Sequence, residues 1–85
     1  MITVRCLGHI GTSVGTKELE VPCEDIDASD LVEKVRAATG KNDPGFTRFN
    51  TLVMVEDGEA FVPAGESRRL KDRAKVVLIP FSHGG

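Results

Sequence analysis

The sequence has no tryptophan and no tyrosine, and phenylalanine is its only aromatic, at four copies in 85 residues. Bases have little here to stack on. Basic residues are not in excess either: 11 Lys and Arg against 13 Asp and Glu leave a net charge of −2. Nucleic-acid binding draws its affinity from phosphate neutralisation, so that class is set aside. Two cysteines are too few for a disulfide framework. No apolar run approaches the length of a membrane span. The N-terminal "MITVRCLG" lacks the apolar core and cleavage site of a signal peptide. These absences point to the cytoplasm, with no membrane partner.

Metal chemistry is also poorly supplied. Tetrahedral zinc needs four ligands, and Cys6, His9, Cys23 and His83 lie in four separate stretches. The reading of Cys6 is a small buried hydrophobe and of His9 a solvent-facing side chain, with no metal and no bound cofactor.

The length allows one domain with a thin core. Hydrophobic residues make up 40% and charged residues 28%. Little room remains for an enclosed, multi-residue active site, which favours a carrier, a binding module or a subunit over an enzyme. One basic run stands out, Arg68, Arg69, Lys71, Arg73 and Lys75. It reads as solvated loop surface, with a docking face for an acidic partner as the second reading.

What is present is periodicity. "ITVRC" and "KELEVP" alternate as half-buried strands. The glycine-rich "GHIGTSVGT" between them reads as a hairpin turn region. "DIDASDLVEKVRAATG" changes to helical spacing, with Leu31, Val35 and Ala38 on one stripe, Asp27 or Ser29 as N-cap and Gly40 as terminator. In "KNDPGFTRFN", Phe46 and Phe49 are expected to anchor a loop. "TLVMVE" reads as a central strand covered on both faces. Asp57-Gly58 turns it into a short strand, "PAGESRRLKDRA" is irregular apart from Leu70, and "KVVLIPF" is a second central strand. The order strand, strand, helix, strand, short strand, strand gives an α+β domain. It has a mixed sheet with one helix packed across one face, the β-grasp arrangement. The domain is expected to span 1–81, with 82–85 as a flexible tail.

The strand-turn-strand around Asp57-Gly58 and the stretch from Leu70 to Pro80, running into Gly84-Gly85, resemble the ubiquitin-like sulfur-carrier family. That family includes the small subunit of molybdopterin synthase (MoaD), the thiamine-pathway carrier (ThiS) and the ubiquitin-related modifiers. The sequence departs from the bacterial carriers at Arg73, where they usually have glycine, and at Phe81, where they often have a second proline. The resemblance implies that the reactive group is the α-carboxylate of Gly85, adenylated and then converted to a thiocarboxylate or joined to lysines. It implies as partners an adenylating enzyme of the ubiquitin-activating, MoeB or ThiF kind using ATP and magnesium, and a sulfur donor such as a rhodanese or cysteine desulfurase. The large subunit of molybdopterin synthase or target-protein lysines are further partners it allows. Two alternatives stay open: the MoaD-type subunit of molybdopterin synthase, and a β-grasp interaction module with an inert tail.

The family chemistry fits the residues. Ser82, His83, Gly84 and Gly85 reach at most roughly 13–14 Å when extended, and glycines let backbone pass close to a nucleotide. Alternation along "KVVLIPF" puts Val76 and Leu78 in the core. Val77, Ile79 and Phe81 then fall on the opposite sheet face, with some of Leu52, Val53, Met54 and Val55. No second helix is expected to cover that face, which makes it the expected partner surface.

Overall fold

The computed structural model describes residues 1–65 and 68–81. The first strand, β1 (Ile2–Cys6), buries Ile2, Val4 and Cys6 and turns Thr3 and Arg5 outward, as its alternation requires. It pairs antiparallel with β2 (Glu18–Val21) and parallel with the last strand, β7 (Lys75–Pro80). Beyond β7 lie β4 (Thr51–Asp57) and β5 (Ala60–Pro63), giving the sheet order β2-β1-β7-β4-β5. The first and last strands are thus parallel neighbours at the centre, and the long crossover between them carries every other element.

The helix α2 (Ala28–Ala38) packs across the inner sheet face. Asp27 caps it: the Asp30 backbone N–H donates to Asp27 Oδ1 at 2.7 Å, a contact worth about 1 kcal/mol. Its buried residues are Ala28, Leu31, Val32 and Val35. The stripe is therefore shifted one turn towards the N-terminus from the expected one, and Ala38 is exposed. Gly40 follows at φ +70°, where a side chain would be strained. The core beneath α2 is completed by Val53 and Val55 of β4, Val76 and Leu78 of β7, Phe46 and Leu70.

Three further expectations about the strands and turns need correction. The supposed hairpin turn after β1 is a short helix, α1 (Gly8–Val14), which buries Ile10 in the core. Its Gly11 is there for close approach: a Cβ would stand 2.8 Å from the Cys6 carbonyl oxygen. The stretch around Leu70 is not wholly irregular, since β6 (Arg69–Lys71) pairs antiparallel with β3 (Asp25–Asp27), bringing Leu70 against Ile26. Finally, β4 is interior in its pairing but is not covered on both faces, because Leu52 is exposed and Met54 half-exposed. The expected turn does form: Gly58, at φ +68°, opens a two-residue loop between the paired Asp57 and Ala60.

Candidate functional site

The last strand carries the site by presenting its two faces to different surroundings. Val76 and Leu78 are 2% and 0% exposed, whereas Val77 and Ile79 between and beyond them are half-buried on the outer face. Val77 lies opposite Arg5 on one side and Met54 on the other, and Ile79 lies opposite Leu52. Pro63 extends the row past Met54, and Phe61, also exposed, stands two residues along the same edge strand. The outer face therefore has an apolar centre of Val77, Ile79, Leu52, Met54 and Pro63. Sequence reasoning named Val77 and Ile79 and pointed to Leu52 and Met54. It missed Pro63, Phe61 and Arg5, although the Asp57-Gly58 turn fixes the register that brings the β5 residues there.

The loop that follows α2 does not fold over this face. Phe46 is buried in the core on the α2 side, where Arg36 Nε donates to its carbonyl oxygen at 2.7 Å. The Ser13 hydroxyl donates to the Pro44 carbonyl and ties the loop to α1. Phe49 does not anchor it as expected: it is 65% exposed, with the Arg48 guanidinium 5.0 Å from its ring centroid.

Phe81 sits one residue past β7. Its backbone N–H donates to the Asn50 carbonyl at 3.0 Å, extending the ladder beyond Pro80. Rather than continuing the outer row, its side chain borders a cleft of about 200 Å³ shared with Leu52, and α2 residues Ala28, Ser29 and Val32 form another wall. At 42% exposed, it marks the margin between the two faces at the point where the chain leaves the sheet. The remaining expected site residues, Ser82, His83, Gly84 and Gly85, lie outside the described residues.

The basic run lies exposed on the surface, as its sequence reading has it. Much of it is neutralised by this chain's own acids. Arg69 Nε meets Asp25 at 3.0 Å and its other nitrogen reaches Asp27 at 3.9 Å, while Lys71 meets Asp25 at 3.2 Å and Arg68 meets Asp57 at 3.9 Å. Hydrogen bonds from Arg69 and Lys71 hold the Asp25 carboxyl below its ordinary range. The N-terminal ammonium does the same for Asp72. Burial pushes the Cys6 thiol up to about 11, so it stays protonated and packs as a small apolar group. His9 is exposed on α1. Among the described residues no group of three or more His, Cys, Asp or Glu is arranged to hold a metal. No helix among them is long and apolar enough to cross a membrane.

An apolar sheet face thus stands beside the end of a central strand, with Phe81 at the margin. No family model matches the sequence, and no curated protein matches it. Among solved structures, the chain is similar to SAMP1 from Haloferax volcanii, with a TM-score of 0.69 over 99% of this chain and 98% of that one, at 16% sequence identity. The likeness is one of fold, and it runs nearly end to end: this chain folds as a ubiquitin-like β-grasp.

Proposed function

We propose that the protein is a non-enzymatic, ubiquitin-like carrier whose working group is the α-carboxylate of Gly85, standing as the C-terminal residue of the active molecule. The observation that carries this reading is the apolar outer face of Val77, Ile79, Leu52 and Met54, uncovered among the described residues and contiguous with the strand that leads to the Gly84-Gly85 pair. Apolar surface of this kind on a small protein marks a partner site.

The chemistry is supplied by that partner. A carboxylate is a poor electrophile, so one of its oxygens first attacks the α-phosphorus of ATP, with magnesium, and expels pyrophosphate. The acyl-adenylate then loses AMP to a nucleophile. A persulfide on a rhodanese or cysteine desulfurase gives an acyl disulfide. A second thiol of the donor then attacks the Sγ of the donor's first cysteine and breaks its bond to the acyl sulfur, leaving a thiocarboxylate on Gly85 and a disulfide on the donor. A lysine amine instead gives an amide. Neither route asks a side chain of this protein to move a proton. Its tasks are to dock, through Val77, Ile79 and Phe81, and to deliver Ser82, His83, Gly84 and Gly85 into the partner's site.

The test is intact-mass measurement after incubation with ATP, magnesium and an adenylating enzyme of the ubiquitin-activating type. Gain of an adenylyl group, or replacement of one carboxylate oxygen by sulfur when a persulfide donor is added, is the expected result. Gly85→Ala places a methyl beside the carbon under attack and should cut the rate about 100-fold, the order of loss that misplacement of a reacting group produces. Its melting temperature should not change. A wild-type chain that stays unmodified would leave the inert-module reading in place.

A further inference from the structure

The largest concavity among the described cavities, about 650 Å³, opens between the end of β1, α1 and the turn into β2. Its polar lining is one-sided. Arg5 and Lys17 are its cationic residues, Thr12 and Thr16 its hydroxyl residues, with the Thr16 hydroxyl turned to the Glu18 backbone, and no Asp or Glu lines it. Glu18 lies opposite Arg5 in the strand register, yet among the described residues neither Arg5 nor Lys17 makes an ion pair. Arg68, Arg69 and Lys71, by contrast, are matched to acids of their own chain. Gly15 on its rim faces open space, where a Cβ would meet nothing within 4 Å.

Its position is as informative as its charge. Arg5 lies directly opposite Val77 at the centre of the outer face. The Leu7 N–H donates to the Leu78 carbonyl at 3.1 Å, and a Cβ on Gly8 would stand 3.0 Å from Pro80 Cγ. The concavity therefore borders the apolar face at Arg5 and lies near the end of β7. The bowl is open to solvent rather than closed around its contents, unlike the clefts that bury most of a small ligand. It suits a protrusion from a protein that already covers the neighbouring apolar face.

We infer that this concavity is a second docking point for the adenylating partner, receiving a loop of that enzyme that carries an aspartate or glutamate between Arg5 and Lys17. The inference rests on the carrier reading above. The two cations steer the partner and fix its orientation, so that the chain leaving β7 is aimed at the nucleotide site.

The test uses ATP–pyrophosphate exchange by the adenylating enzyme with the full chain as acceptor. Arg5→Glu/Lys17→Glu should raise the KM for the carrier about tenfold, as like charges now face each other, while kcat is unchanged. Arg5→Gln/Lys17→Gln should give a smaller rise and a flatter dependence of KM on salt. Melting curves check that both variants fold, and the glutamine pair decides the matter if the glutamate pair does not. Zero-length carbodiimide coupling of the wild-type pair should join Lys17 to a carboxylate of the enzyme. A normally adenylated wild type, with KM unmoved by either variant and no Lys17 cross-link, overturns the inference alone. So does saturable binding of inorganic phosphate in the concavity with no carboxylate cross-link. A wild type that is never adenylated overturns the carrier reading and the inference with it.

Discussion

Two neighbouring residues of the same strand, Leu78 and Ile79, show how this molecule divides its labour. They are similar in size and hydrophobicity and share one hydrogen-bonded ladder, yet they face opposite ways. Leu78 is fully buried beneath α2, against a core shared with Val4, Val53 and Val76. Ile79 is only half-buried, beside Leu52 on the face that neither α1, α2 nor the Phe46 loop covers. The inner row holds the fold together. The outer row keeps apolar area in reserve, and in a small domain with little core to spare that reserve needs a use.

The same substitution at the two positions breaks this comparison most sharply. Leu78→Asp places a carboxylate in the core with no partner. The cost is at least about 4 kcal/mol, comparable with the whole stability of a small domain. The chain should lose its cooperative melt and its dispersed amide spectrum. A folded Leu78→Asp would mean that the two rows do not differ as described.

Ile79→Asp should give the opposite pattern. Half-buried at the strand's outer face, it should cost only about 1–2 kcal/mol of stability. Its effect belongs in binding: loss of a central apolar contact and desolvation of a new charge should weaken association with the adenylating enzyme at least about tenfold. Calorimetric titration measures the second effect and thermal melting the first. Unfolding would assign Ile79 to the core, while unchanged affinity would remove the outer face from the interface.

The division between rows was legible in the sequence because a strand's side chains alternate strictly, and β1 and β7 keep that period throughout. The capped helix was legible too, since Asp27, the apolar spacing and Gly40 are local signals. What escaped was decided by contacts between distant segments. Three glycines around Ile10 read as a turn, because intrinsic propensity disfavours glycine in helices. The structure uses Gly11 instead to bring α1 against the Cys6 carbonyl, which no local pattern records. Likewise β3 and β6 have three residues each, too few to show a period, and the match of Asp25 with Arg69 and Lys71 exists only once the strands meet. At the site, the outer row could be read from alternation. The Arg5–Lys17 concavity could not, because those residues come together only around α1.

The smallest effect tests whether stability and binding are separable in the other direction. Arg73 has a φ of +71°, the only positive value outside glycine among the described residues. It occupies the turn entering β7, where its N–H donates to the Met1 carbonyl at 2.7 Å. This is the position where the resembling carriers usually have glycine, and the backbone explains that preference: a left-handed conformation strains any residue with a Cβ. Arg73→Gly keeps the N–H and relieves the strain. It should therefore stabilise the fold by about 1 kcal/mol, the strain relieved outweighing the freedom glycine adds to the unfolded chain. Arg73 precedes Lys75, at the opposite end of β7 from Phe81, so affinity for the adenylating enzyme should not change. A higher melting temperature with constant affinity is the mirror image of Ile79→Asp, and together they would show the scaffold and the docking face responding independently. A lower melting temperature would mean that the Arg73 side chain contributes more than its backbone strain costs.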